Sequence, residues 1–166
     1  MKQKFIDYYN EVAHSTSKLS HAERLKVGAV IVKDNNILSF GYNGMPAGMP
    51  NECEDLDYVD ENGQDYDDMI SKGYIFGAVS DVAGYVRRVT KPEVIHAEAN
   101  AIAKLARQTG SGQDATMFIT HAPCVECAKL IIQSGIKTVY WKNQYRDDTG
   151  LKLLSNADIL TYHLEE

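Results

Sequence analysis

ATMFITHAPCVECAKLIIQSGIKTVYWK, residues 115–142, decides the fold. Its first part, ATMFITH (115–121), is rich in β-branched and aromatic residues and predicts a strand. Val125 to Ser134 carries helical periodicity, and Gly135 ends it, since glycine readily takes the left-handed conformation that closes a helix. TVYWK (138–142) then predicts a second strand. Two strands joined by one short helix must run parallel and be linked by a right-handed crossover.

Outward from this unit the same patterns recur. On the N-terminal side a helix begins near His96, places Ala99, Ile102, Ala103 and Ala106 on one face, and stops at Gly110. Earlier still, VGAVIV (27–32) predicts a buried strand, Asn35-Asn36 a turn, and Ile37–Tyr42 the returning arm of a hairpin. KFIDYYNEVAH (4–14) predicts an amphipathic helix with Phe5, Tyr8, Tyr9 and Val12 at helical spacing. On the C-terminal side Asp148 or Thr149 caps a last short helix, and ILTYHL (159–164) forms a final strand. The order α-β-β-α-β-α-β-α-β predicts an α/β fold of three layers, α/β/α, around a mixed five-stranded sheet. Residues 1–166 read as a single domain with an insertion at about 44–93. From Glu52 to Asp68 that insertion has no Lys or Arg. It lacks the spacing of a calcium-binding loop and reads as a solvated acidic face, partly helical.

Composition narrows the function classes. With 44% apolar and 24% charged residues the chain is ordinary for a globular protein. No apolar run reaches the roughly 18 residues of a membrane span, and the N-terminus lacks the apolar segment of a signal peptide, so an intracellular, cytoplasmic location is expected. The formal net charge of −6 argues against DNA or RNA as a partner. Of three cysteines, Cys124 and Cys127 lie three apart in a C-x-x-C pattern, which in a reducing compartment suggests metal binding or catalysis before a disulfide.

Two motifs carry the chemistry, His96-Ala97-Glu98 and Pro123-Cys124-Val125-Glu126-Cys127, each at the start of a predicted helix. Cys124 and Cys127 share one side of a first helical turn, where the helix dipole favours thiolates. His96 adds an imidazole. Three such ligands hold zinc with a fourth tetrahedral position left for water, the mark of a catalytic site. Glu98, two residues past His96, projects away from the ligand direction and suits a proton carrier beside the metal. The pair of motifs matches the zinc nucleobase-deaminase signature H-x-E…P-C-x-x-C. A redox dithiol or structural metal at the C-x-x-C explains neither Glu98 nor Pro123.

VGAVIVKDNNILSFGYNGMPAG, HAEANAI and ITHAPCVECAKLIIQSGIKTVYW resemble the opening hairpin and the metal half of the deoxycytidylate deaminase family, within the cytidine deaminase superfamily. The resemblance implies a cytidine-deaminase-like fold, one zinc per chain, and hydrolysis of dCMP to dUMP and ammonia. It places Asn43 near the substrate sugar, and has the backbone around Ala97 and the residues flanking Pro123 read the pyrimidine. Arg24, Tyr145 and Arg146 match positions near the 5′-phosphate, where an Arg fork donates to two oxygens at once; Lys26 and Lys142 are fallbacks. The family further implies a homohexamer, activated by dCTP and inhibited by dTTP, with magnesium accompanying the effector and Asn43 and Gly44 contributing to its site. Val94 stands where some members place a histidine for a second zinc, so Cys53 reads as a small residue beneath the acidic loop. Rival readings are a deaminase for cytidine, guanine or a tRNA adenosine, and an inactive zinc-binding nucleotide sensor.

Overall fold

The computed structural model describes residues 1–79, 82–108 and 110–165. In chain order its elements are α1 (Gln3–Ser17), β1 (Gly28–Lys33), β2 (Asn36–Tyr42), β3 (Glu54–Asp60), α2 (Tyr66–Ser71), β4 (Ile75–Val79), β5 (Val82–Thr90), α3 (Ala97–Ala106), β6 (Thr116–His121), α4 (Val125–Gln133), β7 (Thr138–Asn143), α5 (Thr149–Asn156) and β8 (Leu160–His163). Five strands form a mixed sheet in the order β2-β1-β6-β7-β8. β1 runs antiparallel to both β2 and β6, whereas β6, β7 and β8 are parallel, as the strand–helix–strand pattern requires.

The two-residue period of the strands divides the apolar residues between two cores. Ala29, Ile31, Met117, Ile119 and Val139 face α3, α4 and α5, in a cluster with Ala101, Leu105, Ile131 and Leu154. Val30, Val32, Phe118 and Tyr140 face the other way, against Tyr9 and Ala13 of α1. This is the expected three-layer α/β/α arrangement.

Several local expectations shift. The hairpin turn is Asp34-Asn35, not Asn35-Asn36: Lys33 pairs with Asn36, and the two residues between them have φ of 50° and 59°. Two successive left-handed residues give the turn whose twist matches the strands. α1 runs three residues beyond the predicted His14, and Tyr8 points outward while Tyr9 and Ala13 are buried. α3 buries Ala97, Glu98, Ala101 and Leu105 in place of the predicted Ala99–Ala106 face. Ala99, Ala103 and Ala106 carry too little apolar area to fix a face; Leu105 decides it, and Ile102 packs partly buried against the same core. The same helix ends at Ala106, before Gly110.

The insertion departs furthest from expectation. It is chiefly strand: β3, β5 and β4 form a second antiparallel sheet, with only the six-residue α2 between β3 and β4. Its two ends meet where the Lys91 amide donates to the Cys53 carbonyl, 2.9 Å. Cys53 is buried with Ala22 and Val94, in line with its reading as a small packed residue.

Two glycines let the site helices approach. A Cβ on Gly41 of β2 would overlap the Ala97 carbonyl and the Ala101 backbone, so only glycine lets α3 lie this close. A Cβ on Gly150 of α5 would meet the Pro123 carbonyl and the Cys124 backbone.

Candidate active site

α3 and α4 begin at the same end of the sheet, and their first residues meet. His96 precedes α3 in an extended conformation, Cys124 does the same for α4, and Cys127 lies in the first turn of α4. Side-chain hydrogen bonds tie α3 to β2: Ser39 Oγ donates to the Ala101 carbonyl at 2.8 Å, and Asn100 Nδ2 to the Tyr42 carbonyl at 2.8 Å. Gly44 and Ile95 exchange two backbone hydrogen bonds of 3.1 and 2.9 Å immediately before His96.

His96 Nδ1 stands 3.5 Å from Cys124 Sγ and 3.4 Å from Cys127 Sγ, and all three ligand atoms lie within 4.8 Å of one another. Zinc–nitrogen and zinc–sulfur bonds meeting at the tetrahedral angle separate N from S by about 3.5 Å. The three donors therefore fit a zinc ion in spacing and in chemistry. Their acidities are coupled. Hydrogen bonds from Cys127 and then His96 hold the Cys124 thiol down to about 3, against the opposing effect of burial. Cys127 is pushed up, first by its hydrogen bond to Cys124 and then by burial. His96 is raised, chiefly by the hydrogen bond to Cys124. A thiolate already stabilised by a shared proton is a site where a cation can take that proton's place.

Glu98 is 4% exposed, deep for a carboxylate. Burial raises its pKa. It borders a cleft of about 390 Å³ together with His96, Cys124, Ala97 and Asn43. Arg24, Tyr145 and Arg146 line the same cleft. Pro123 is fully buried behind it, while Gly44, Lys26 and Lys142 are not among its lining residues. Lys142 Nζ donates instead to the Glu165 carbonyl, 3.2 Å. Asn43 also braces the wall: its Oδ1 accepts from Val27 N and its Nδ2 donates to the Leu25 carbonyl, both at 2.8 Å. His121 lines the cleft too, and burial lowers its pKa.

Sequence reasoning missed the insertion's share of this cleft. Glu54, at the start of β3, and Thr90, at the end of β5, both line it. The Glu54 carboxylate accepts from the backbone N–H of Glu23 and Arg24 at 3.2 Å, and Arg24 Nη1 donates to Thr90 Oγ1 at 3.0 Å. The acidic run is thus not wholly a solvated face, because its third residue holds the loop that carries Arg24. The β-branched run VRRVT (86–90) was the readable sign of a strand ending there.

An imidazole, two cysteine sulfurs and a buried carboxyl at one end of a cleft are the side chains that a water-activating zinc hydrolase uses. The chain belongs to the cytidine and deoxycytidylate deaminase family, whose zinc-binding region model matches residues 3–143. Among its relatives, the deoxycytidylate deaminase of Enterobacteria phage T4 is 38% identical over 170 residues, covering 93% of this chain and 86% of that protein. The human deoxycytidylate deaminase is 33% identical, covering 94% of this chain and 76% of its own. The crystal structure of the dCMP deaminase from cyanophage S-TIM5, in complex with dCMP and dUMP, superposes with a TM-score of 0.77 at 32% identity, covering 99% of both chains. Among the described residues, no helix is long and apolar enough to cross a membrane.

Proposed function

We propose that this protein hydrolyses dCMP to dUMP and ammonia, with one zinc per chain held by His96, Cys124 and Cys127. The observation that carries the reading is the meeting of these three donors beside a buried carboxyl, in a chain whose relatives are deoxycytidylate deaminases. Zinc, when bound, lowers the pKa of a water from 15.7 towards about 7, supplying hydroxide near neutral pH. Glu98 does the proton work. Its carboxylate takes a proton from the attacking water and gives it to the ring nitrogen; it then takes the remaining proton from the hydroxyl group left on the ring carbon and delivers it to the departing amine, so that the C–N bond breaks as the carbonyl forms and ammonia leaves instead of the far poorer amide ion. Burial raises the pKa of Glu98, which makes it a stronger proton acceptor than an exposed carboxylate.

The proposal assigns the pyrimidine edge to the backbone of Ala97 and the residues around Pro123, the sugar to Asn43, and the 5′-phosphate to Arg24, Tyr145 and Arg146. Regulation by dCTP and dTTP with magnesium, at Asn43 and Gly44 in a homohexamer, belongs to the same proposal. The paired bonds between Gly44 and Ile95 support it, since a ligand pressing on Gly44 acts one residue from His96. A cytoplasmic location completes it. The test is ammonia release from dCMP, deoxycytidine and cytidine, each with and without dCTP and dTTP. dCMP is the expected substrate, and Arg24→Gln should raise its KM by about tenfold or more while leaving deoxycytidine unaffected. Equal turnover of dCMP and deoxycytidine would defeat the phosphate assignment.

A further inference from the structure

The catalytic cleft opens into a second cavity of about 660 Å³. The two share Arg24, Thr90, His96, Tyr145 and Arg146 in their walls, so the residues assigned to the substrate phosphate stand at the junction. Beyond that junction the second cavity is lined by Lys72, Arg87, Arg88 and Lys91, all from the insertion, and by no acidic residue. Two arginines at the junction already match the charge of a monophosphate. The four further cations answer to no part of dCMP.

From this continuity we infer that the second cavity takes the distal phosphate of a deoxycytidine diphosphate whose base lies at the zinc site, so that the enzyme binds and deaminates this nucleotide as well as dCMP. The inference rests on the reading of the cleft given above. The reaction is the same hydrolysis: water adds at the amine-bearing carbon, the C–N bond breaks, ammonia leaves, and the phosphate chain is untouched. The four cations have carboxylate partners in the free protein. Arg88 pairs with Glu23 at 2.7 Å, Arg87 with Asp57 at 2.9 Å, Lys72 with Asp68 at 2.7 Å and Lys91 with Asp55 at 3.6 Å. Apart from Lys91, these side chains are more than one-third exposed, and exposed ion pairs are weak enough to exchange for a phosphate, whose charge-assisted hydrogen bonds are stronger. Arg87 is the most fixed, with Nε also bonded to Asp57 and its guanidinium stacked on Tyr74. Arg88 and Lys91 are the members freest to serve as ligands.

The zinc-loaded protein should release ammonia from dCDP, and dCDP should compete with dCMP. In Arg88→Gln and Lys91→Gln the ratio of kcat/KM for dCDP to that for dCMP should fall roughly tenfold each. Lys72→Gln, exposed just after α2, supplies a variant with little bearing on folding, and the same ratio should fall there by a smaller factor. Absence of both turnover and inhibition by dCDP at millimolar concentration would overturn the inference. So would non-competitive inhibition, which points to a separate site, or variants that depress dCDP and dCMP equally. If dCMP itself is not deaminated, the failure belongs to the proposed function and not to this extension.

Discussion

Along β1, Ala29, Val30, Ile31 and Val32 are each at most 1% exposed, whereas no residue of β3 is buried. The five-stranded sheet is shielded on both faces by helices. The three-stranded sheet buries only Met69, Tyr74 and Tyr85 as a cluster, and adds a polar triad in which Tyr74 and Arg87 both donate to Asp57, at 2.6 and 2.9 Å. One region is held by a large area removed from water, the other by its backbone ladders, one small apolar cluster and this polar triad. The cluster of His96, Cys124 and Cys127 and the buried Glu98 come from the first region, where side chains are fixed by packing. The second brings cations and the Glu54 clamp to the mouth of the cleft, where charge meets an anionic substrate.

This contrast can be broken by substitution. Ile31→Ala removes a fully buried side chain from the main core and should cost about 2–5 kcal/mol in chemical denaturation of the zinc-loaded protein. Ile75→Ser alters a residue that is 69% exposed on β4 and should change stability by no more than about 0.5 kcal/mol. A loss at Ile75 as large as that at Ile31 would mean that the second sheet is covered by a neighbouring subunit.

A smaller effect sharpens the difference through pH. The hydrogen bond from Tyr74, then that from Arg87, lowers the pKa of Asp57. A carboxyl that binds its proton less well when folded contributes stability above its unfolded pKa, about 3.9, and loses it as pH falls through the folded value. Asp57→Asn should therefore melt earlier than the parent at pH 7, followed by tyrosine near-UV circular dichroism, and the gap should begin to close below about pH 4. A gap unchanged with pH would assign the loss to shape, not charge.

The main sheet and the meeting of His96, Cys124 and Cys127 were legible for one reason: both are written in local spacing. Strand period, the glycine stop at Gly135, and the His-x-Glu and Cys-x-x-Cys intervals each fit within a turn or two of chain. The insertion was not legible in the same way. Its acidic residues hid a strand pattern, and the partners that define its role, Glu54 with Arg24 and Arg88 with Glu23, are 30 and 65 residues apart. The buried face of α3 failed for a third reason, since alanines do not announce which side faces the core.

The central claim is that a buried carboxyl beside a His–Cys–Cys zinc site moves the protons of deamination without holding the metal. Zinc content and ammonia release from dCMP, measured side by side on the parent and on Glu98→Gln, test it directly. The account predicts one zinc per chain in both proteins and a fall in kcat of about 10²–10⁴ in the variant. A variant that keeps its turnover, or one that loses its zinc along with its activity, would contradict it.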